Sequence, residues 1–416
     1  MKIAVVGSGG REHALLWSLY NEKKHTLYAL PGNGGTAAIA ENVAIQDSDC
    51  DAIIAFARQK MIDIVMIGPE KPLAMGLADK LRAVGVKTIG PDIHGAQVEA
   101  SKIWAKEFML RHSIPTARHE TFDSYDNALS WIKKNNTYPV VIKADGLAAG
   151  KGVIIPRNEK EAEQALRDCF IDQKFGQAGL HIEIEEFLTG VESSYLVFVD
   201  GDHYVPMVTS KDHKRLLDGD LGPNTGGMGT FSPSPFITPE IEREILEKTI
   251  APAVRGFQKE NILYRGILYA GLMISPSGIN VIEYNCRFGD PETQVIIPRL
   301  ATPLSEVFDA LSSGMLAKLP LQWHNNHTVC VVAASQGYPE GYEKGKIISG
   351  LDHIKSTVFH AGTTCHNDTI YTSGGRVLGV TATGNTLEEA RSQAYSDMGK
   401  IHFDGMMYRN DIALLS

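Results

Sequence analysis

The stretch 281–292 reads VIEYNCRFGDPE and places several chemically active side chains directly after an apolar run. Glu283 and Asn285 lie two residues apart, so in a strand both side chains point to one face. Carboxylate and amide oxygens suit hard cations such as Mg²⁺, which usually sit beside nucleotide phosphates. The same spacing also fits an ordinary solvated strand face. The stretch therefore leaves two interpretations open, a metal site and a plain strand, with Arg287 and Asp290 following in a glycine turn.

The composition indicates a globular protein of several domains. At about 150 residues per domain, 416 residues predict two to four domains. The net charge of -9 argues against nucleic-acid binding through bulk charge, and the scattered, odd set of five cysteines fits a reducing compartment. The sequence has no apolar run as long as a membrane span, and its N-terminus enters a strand pattern at once. We therefore expect a cytoplasmic protein with no signal peptide.

Residues 1–100 alternate short apolar strands with helical patterns, which predicts a parallel α/β domain with crossover helices. The expected strands are 3–6, 26–30, 63–67 and 87–89, and the expected helices are 12–20, 51–60 and 73–84. Ligands of such sheets bind at the carboxyl ends of the strands. Three ends carry glycine, proline and polar groups, namely Gly9-Gly10-Arg11, Pro31-Gly32-Asn33 and Pro69-Glu70.

The first of these turns resembles a dinucleotide fingerprint but departs from it. Its sixth position is Glu12, where close packing needs glycine or alanine, and the second strand ends in Pro31 rather than an acidic residue. These departures argue against a nicotinamide-dependent dehydrogenase. Free amides at the helix N-terminus beside Arg11 could still hold a single phosphate, although a plain tight turn is equally compatible with the sequence.

Residues 101–325 form the second predicted domain, with a lid subdomain at about 121–190. A strand at 138–143 ends in Lys143, and the loop 146–152 carries Lys151 between this strand and the apolar run 153–155. A flexible Gly/Ala loop with two ammonium groups can fold over a triphosphate. The loop lacks the Gly-Lys-Ser/Thr ending of a Walker site. The loop 210–229 is dense in glycine, proline and charge, which indicates a functional segment.

Residues 326–416 read as a small mixed β domain, with strand patterns and one helix at 387–400. The predicted fold class is therefore α/β and α+β, multidomain, with an N-terminal parallel sheet and a C-terminal mixed β domain.

Taken in order, the Lys143 strand with its glycine loop, the acidic hinge 185–192 and the Glu283/Asn285 pair resemble the ATP-grasp ligases. Within that superfamily the chain resembles the phosphoribosylamine–glycine ligase (glycinamide ribonucleotide synthetase) family. Five stretches carry this resemblance: GSGGREHA (7–14), KADGLAAGKG (143–152), DHKR (212–215), GPNTGGMG (222–229) and EYNCRFGDPE (283–292). It runs nearly end to end and implies an ATP-grasp core of two α+β subdomains.

The resemblance also implies a reaction in de novo purine biosynthesis. ATP, glycine and 5-phosphoribosylamine would give glycinamide ribonucleotide, ADP and phosphate through a glycyl phosphate, with Mg²⁺ or Mn²⁺ as the metal. We expect a monomer, with transient contact to the preceding enzyme of purine synthesis, and neither a nucleic acid nor a membrane as a partner.

By the same resemblance, each site residue receives a role. The ATP phosphates would bind Lys143, Lys151 and Lys102, with Lys106 as the alternative to Lys102. The adenine would lie against the backbone of Glu185, Glu186, Phe187 and Leu188, and the ribose would bind Glu192. The metal would bind Glu283 and Asn285. Arg287 would face the acyl phosphate and Asp212 would hold the ammonium of glycine, so that Arg287, Asp212 and Lys151 are the expected catalytic residues. The remaining substrate contacts would come from Gly9, Gly10, Arg11, Pro31, Gly32, Asn33, Pro69, Glu70, Asn224, Gly226, Gly227, Met228, Gly229, Gly289 and Asp290.

Two alternatives share the same motifs. An ATP-grasp carboxylase would act on bicarbonate through carboxyphosphate. A non-catalytic nucleotide sensor would have lost lid or metal groups, yet Lys151, Glu283, Asn285 and Arg287 are all present.

Overall fold

The computed structural model describes residues 1–147 and 152–415. The first 100 residues fold around a five-stranded parallel sheet in the order β3-β2-β1-β4-β5. The strands are β1 (Lys2–Gly7), β2 (Thr26–Pro31), β3 (Glu41–Asn42), β4 (Ile64–Ile67) and β5 (Lys87–Ile89). The helices are α1 (Gly10–Asn21), α2 (Cys50–Lys60), α3 (Glu70–Ala74) and α4 (Leu77–Ala83). The central strands are buried on both faces, as expected for apolar strands between crossover helices. The predicted parallel sheet is confirmed.

One expected helix of this region is wrong. Instead of a single helix over 73–84, the chain forms α3 and α4, which are separated at Gly76. Gly76 has φ +74, a conformation that glycine adopts at no steric cost and that ends a right-handed helix. The hydrophobic period is the same on both sides of this break, so the pattern alone could not reveal it.

The segment 119–186 forms a four-stranded antiparallel sheet in the order β6-β9-β7-β8, with two helices. Its strands are β6 (His119–Phe122), β7 (Val140–Ala144), β8 (Val153–Ile154) and β9 (Ile182–Glu186), and its helices are α7 (Tyr125–Asn135) and α8 (Glu159–Phe170). Two further helices, α5 (Gln97–Ala100) and α6 (Lys102–Arg111), precede this region in the chain. Ile142 and Ile184 of the sheet are buried against Leu166 of α8 in a small core of their own. This region covers most of the segment 121–190 for which the sequence predicts a lid, and the lid stays a prediction.

The chain then forms a second antiparallel sheet, in the order β11-β10-β16-β17. Its strands are β10 (Val191–Asp200), β11 (Tyr204–Pro206), β16 (Arg265–Ser275) and β17 (Gly278–Asn285), and the helices of this region are α9 (Pro239–Ile245), α10 (Ala251–Lys259), α11 (Thr293–Ile296) and α12 (Leu304–Ser313). The opening stretch of the sequence thus begins on β17 and leaves it at Asn285. None of the helices in the described part of the chain is long and apolar enough to cross a membrane.

The last sheet is built from two separate parts of the chain. Its order is β12-β15-β18-β22-β19, with β23 on β18. The Gly/Pro-rich loop region supplies β12 (Lys211–Asp212) and β15 (Gly229–Ser232). The C-terminal region supplies β18 (His327–Ser335), β19 (Thr357–His360), β22 (Arg376–Gly384) and β23 (Met406–Met407), together with helix α13 (Leu387–Met398). Two hairpins lie outside this sheet, β13 (Arg215–Leu217) with β14 (Leu221–Asn224) and β20 (Thr363–His366) with β21 (Thr369–Thr372). The C-terminal sheet therefore carries Asp212 on its edge strand.

A buried polar contact joins the N-terminal and C-terminal regions. The Asn33 side chain donates to the His360 carbonyl at 2.8 Å, and the His360 amide donates to His13 Nδ1 at 2.8 Å. Burial lowers the pKa of His13 to about 3, helped by the neighbouring His360, and lowers the pKa of His360 to about 4. Both rings are therefore neutral in the folded protein at neutral pH.

This contact predicts that acid destabilises the fold. Below pH 6.5 the unfolded chain binds protons that the folded chain excludes at His13 and His360, so the free energy of unfolding falls by about 2 kcal/mol per histidine at pH 5. His360→Phe should remove its share of this pH dependence, as measured by denaturant unfolding between pH 7 and pH 5. His366→Phe, at an exposed ring, is the matched control. An identical pH dependence in wild type and His360→Phe would contradict the assignment.

Candidate active site

The predicted pair Glu283 and Asn285 lies on one face at the end of β17. Asn285 Nδ2 donates to Glu283 Oε1 at 3.5 Å, and the amide oxygen of Asn285 accepts from Arg287 Nη2 at 3.4 Å. Both contacts are long, so the carboxylate and the amide oxygen keep free lone pairs. Two oxygen donors on one face fit Mg²⁺, which takes one or two protein ligands and completes its shell with phosphates and water.

Three lysines surround the Glu283 carboxylate. Burial alone would raise the pKa of Glu283, but Lys214, Lys143 and Lys102 hold it below its ordinary value. The carboxylate is therefore ionised at neutral pH and lies in a positive field, as a site for a metal–triphosphate complex requires.

Lys143 belongs to a buried cluster of four ionisable groups. Its Nζ lies 2.6 Å from Glu185 Oε1 and 3.7 Å from Glu183 Oε1, and Lys106 Nζ lies 3.1 Å from Glu185 Oε1. Burial and the adjacent Glu185 raise the pKa of Glu183. The Glu185 carboxylate thus holds two lysines in place, in addition to the backbone role predicted for it. Glu183 was not predicted, although its spacing of two residues from Glu185 on β9 places it on the same face.

The start of the glycine loop is fixed to α6. Lys102 Nζ donates to the Gly146 carbonyl at 2.9 Å, and the Asp145 carboxylate accepts from Ser101 Oγ at 3.0 Å. The predicted phosphate ligand Lys102 is thus at the loop, whereas Lys106 points into the cluster described above. Lys151 lies outside the described residues.

The hinge after β9 presents its side chains outward. Glu186 pairs with Arg118 at 2.8 Å, Phe187 is 40% exposed, and Leu188 is half-buried. Phe187 lines a cavity of about 610 Å³ together with Ile155 on the lid and Arg215 and Asn224 on the hairpin β13–β14. This cavity lies between the lid and that hairpin.

Glu192, the predicted ribose ligand, contacts a lysine that sequence reasoning did not select. Its Oε1 lies 2.6 Å from Lys214 Nζ. Burial alone would lower the pKa of Lys214, but Glu192, Tyr269 and Glu283 together hold it well above its ordinary value. Lys214 therefore connects the predicted ribose and metal residues. The sequence feature that points to Lys214 is its position in the DHKR motif (212–215).

Asp212 lies against Gly227 in the middle of this site. A Cβ at Gly227 would lie 2.7 Å from Asp212 Oδ1, and Gly227 has φ +116, so both the space and the backbone conformation require glycine. Burial and the nearby Glu292 raise the pKa of Asp212 well above its ordinary value. Asp212 Oδ1 has no hydrogen-bond partner among the described residues. The carboxyl is thus a buried acceptor that an arriving ammonium group would satisfy.

Arg376, which was not assigned a role, joins the two substrate loops. Its Nη1 donates to the Gly226 carbonyl at 2.5 Å and to the Asp290 carbonyl at 2.7 Å, while Nη2 lies 3.3 Å from Asp290 Oδ1. Asp290 also accepts from the Arg11 amide at 3.3 Å. The structure therefore brings together the predicted Gly226–Gly227, Asp290 and Arg11 positions.

Other predicted substrate residues are turned away or already bonded. Met228 is fully buried, and Gly229 packs against Ile412. The Arg11 guanidinium donates to Glu12 at 2.5 Å and to the Phe288 carbonyl at 3.0 Å, so it faces the interior. Of the rest, Gly9, Gly10, Pro31, Gly32 and Asn33 line the carboxyl edge of the parallel sheet. Pro69 is the N-cap of α3, and the Gly289 carbonyl accepts from Thr293.

Glu12 fills the corner between the ends of β1 and β4, where it lies against Gly7 and Gly68. Its Oε2 accepts from the Gly9 amide at 2.6 Å, and a Cβ on Gly7 would lie 2.7 Å from its side chain. The position that departs from the dinucleotide fingerprint is thus occupied by a carboxylate.

Arg287 is held by two carboxylates of the N-terminal region. Its Nε donates to Glu70 Oε2 at 3.0 Å, and its Nη2 lies 2.6 Å from Glu99 Oε1. The side chain remains 19% exposed. Glu99 was not predicted, and Glu70 was expected to contact substrate. The structure thus gives Arg287 a positioning pair, which adds a structural role to the expected catalytic one.

The fold and the residues of the site together indicate the class of protein. Solved biotin carboxylases share the fold, for example the one from Campylobacter jejuni in complex with a β,γ-ATP compound, with TM-score 0.76 at 14% identity, covering 97% of this chain and 92% of that one. At that identity the likeness shows the fold alone; the class is given by an ATP-grasp (A) domain model that matches residues 100–293, which indicates the ATP-grasp enzymes. Those enzymes use ATP and a divalent metal.

The family follows from closer matches. Models of the phosphoribosylglycinamide synthetase N domain, ATP-grasp (A) domain and C domain match residues 1–99, 100–293 and 328–415. Phosphoribosylamine–glycine ligases of Vibrio cholerae and Neisseria meningitidis serogroup A are each 47% identical over 99% of this chain, covering 97% and 99% of their own lengths. The crystal structure of the Thermotoga maritima phosphoribosylamine–glycine ligase matches with TM-score 0.86 at 34% identity, covering 99% of this chain and 100% of that one. The chain belongs to the phosphoribosylglycinamide synthetase family, and the predicted family and fold class are confirmed.

Proposed function

We propose that the chain ligates glycine to 5-phosphoribosylamine at the expense of ATP, as the names of its relatives state for those enzymes. The product is glycinamide ribonucleotide, formed with ADP and phosphate in purine biosynthesis. One observation supports placing this reaction at the site described above. The ionised Glu283 lies in the electrostatic field of Lys102, Lys143 and Lys214, and the positive charge of Lys214 also favours the ionised form of the buried Asp212. The nucleotide residues and the glycine residue therefore lie within electrostatic reach of one another.

The reaction needs two steps because a carboxylate is a poor electrophile. The glycine carboxylate attacks the γ-phosphorus of ATP, ADP leaves, and the amine of phosphoribosylamine then attacks the acyl carbon of glycyl phosphate and expels phosphate. Alignment and charge neutralisation dominate the first step. A metal ion on Glu283 and Asn285 supplies neutralisation of phosphate charge when it is bound.

The residues of this chain take the following roles in the proposal. Lys143, steadied by Glu185, and Lys102 bind the ATP phosphates; residues 185–188 hold the adenine, and Glu192 the ribose. The raised pKa of Asp212 reflects burial and the nearby Glu292, which outweigh the positive charges of Lys214 and Arg376 and favour a further counter-charge. The ammonium of glycine supplies that charge, and Arg287 stabilises charge on the transferred phosphoryl group. Lys151 on the lid loop completes the set, and the lid keeps water from the acyl phosphate.

Several finer points belong to the same proposal. The metal is Mg²⁺ or Mn²⁺, the enzyme is a cytoplasmic monomer, and phosphoribosylamine is received in transient contact with the preceding enzyme. We divide the chain into domains 1–100, 101–325 and 326–416, with the lid at about 121–190. Strand β12 pairs with β15 of the second domain, and β15 pairs with β18 of the third. The sheet that carries Asp212 therefore also carries Arg376, on β22.

One assay tests this function against the carboxylase alternative. We expect phosphate release from ATP to require glycine together with phosphoribosylamine, and mass spectrometry to show glycinamide ribonucleotide. Bicarbonate in place of glycine should give no release above background. Release with bicarbonate alone would favour a carboxylase, and tight ADP binding with no turnover on either substrate would favour a nucleotide sensor.

A further inference from the structure

The hairpin β13–β14 has no apolar core of its own. Its residues 215–224 are exposed or half-buried, and Leu217 and Leu221 are 47% and 64% exposed. Its two cross-strand pairs are Arg215 with Asn224 and Leu217 with Leu221, with a register shift between them. A two-stranded hairpin of this kind is marginally stable in water. Its position must therefore come from contacts with the rest of the protein.

Arg409 of the C-terminal segment supplies the central contact. This side chain is 2% exposed, and its Nη1 donates to Asp220 Oδ1 at 2.8 Å and to the Arg215 carbonyl at 3.0 Å. Its Nε and Nη2 form a bidentate pair with Asp411 at 2.7 and 2.6 Å. Arg409 thus grips both the base and the tip of the hairpin through charge-assisted bonds.

Two neighbours of Arg409 hold the same tip. Asp411 Oδ2 accepts from the Gly219 amide at 2.8 Å, and the amide and Nδ2 of Asn410 donate to Asp218 at 2.8 and 3.0 Å. We name Arg409, Asn410 and Asp411 the C-terminal clamp.

The clamp is itself fixed to helix α13. Tyr395 Oη donates to the Arg409 carbonyl at 2.8 Å, and Arg391 Nη2 donates to the Asn410 carbonyl at 2.8 Å. The hairpin tip is thereby tied to the rigid C-terminal domain.

The hairpin forms one wall of the cavity described above. Arg215, Pro223 and Asn224 face Phe187 across this space of about 610 Å³. The hairpin continues from Lys214, which binds Glu192, and returns at Thr225, whose amide donates to the Lys214 carbonyl at 2.8 Å. Because Glu192 and Thr225 hold Lys214 at the base of the hairpin, a shift of the hairpin tip would move the cavity wall and leave Lys214 in place.

We propose that the C-terminal clamp positions the β13–β14 hairpin as the wall of the nucleotide cleft, so that Arg409 is a positioning residue for ATP binding. This proposal rests on the proposed function, since residues 185–188 are assigned to the adenine there and Phe187 of that segment lines this cavity. It places a determinant of nucleotide affinity at the end of the chain, in the C-terminal domain.

The test changes the hairpin side of the contact, because Arg409 is buried and its removal would leave Asp411 unpaired. Asp218→Ala combined with Asp220→Asn removes the acceptor of Asn410 and the charge opposite Arg409. Asparagine is chosen at position 220 because this residue has φ +54, which asparagine tolerates. Asp202→Ala, at the exposed tip of the hairpin β10–β11, is the matched control.

We expect the double variant to show faster hydrogen exchange across 215–224, about tenfold weaker ADP binding by calorimetry, and a KM for ATP raised by about the same factor. Its kcat at saturating ATP and its melting temperature should match those of Asp202→Ala. Unchanged hydrogen exchange would show that the clamp does not hold the hairpin. Faster exchange with unchanged ADP affinity would show that the hairpin does not shape the cleft. If the wild type binds ADP without ligating glycine, the proposed function fails, and the ADP comparison still decides this proposal.

Discussion

Glu283→Gln should lower glycine-dependent phosphate release by roughly a thousandfold while the protein stays folded. The amide keeps the size of the side chain but removes the negative charge that attracts a divalent cation. Folding should be retained because Lys143 keeps its partner Glu185 and Lys214 keeps its partner Glu192. The measurement is coupled ADP production at increasing Mg²⁺ concentration, with thermal unfolding in parallel.

The control for this experiment is Glu343→Gln, at an exposed carboxylate paired with Lys346. We expect it to behave as the wild type at all Mg²⁺ concentrations. Glu283→Gln should need more Mg²⁺ for its residual activity. Turnover within twofold of the wild type at ordinary Mg²⁺ would show that Glu283 is a strand-face carboxylate and not a metal ligand.

Local periodicity was sufficient for the parts of the site that lie on one strand. Alternation along β17 placed Glu283 and Asn285 on one face, and the structure has them in contact. The strand ends of the N-terminal sheet were also predictable, because buried parallel strands are short apolar runs with turn residues after them. The break at Gly76 was not, since glycine within a helical pattern is compatible with both outcomes.

The pairing of side chains across the chain could not be read from the sequence. Arg287 contacts Glu70 across 217 positions, and Arg409 contacts Asp220 across 189. Nothing in the local pattern around an arginine says which carboxylate will meet it, because the approach is set by packing of whole sheets. Lys214 and Arg376 lie within the sequence motifs, but the motifs do not indicate which groups either side chain contacts.

The sharing of a sheet between two regions was hidden for a related reason. Strand β15 pairs with β18 of the C-terminal sheet, and β12 pairs with the other edge of β15. Short strands in a Gly/Pro-rich stretch carry no signal of which sheet they enter, since register and partner depend on which edge is available. This pairing fixes Asp212 beside Arg376.

Arg287→Lys should lower kcat by about a hundredfold with little change in the KM for ATP. The guanidinium spans Glu70 and Glu99 with different nitrogens and also donates to the Phe288 carbonyl at 3.1 Å. An ammonium group cannot make these contacts together, so the charge would move away from the phosphoryl group. Stopped-flow single turnovers with glycine would measure the chemical step directly.

Glu99→Gln separates catalysis from structure at this arginine. Glu99 lies behind Arg287, and it also accepts from the Cys286 amide at 2.8 Å, so its loss should lower stability and loosen Arg287. Because the guanidinium keeps its charge and its contact with Glu70, we expect kcat to fall by roughly tenfold, less than in Arg287→Lys. If both variants lower the melting temperature equally and leave single-turnover rates unchanged, Arg287 joins the domains and takes no part in the chemistry. A rate loss in Arg287→Lys at a melting temperature no lower than that of Glu99→Gln would place the guanidinium at the reacting phosphoryl group.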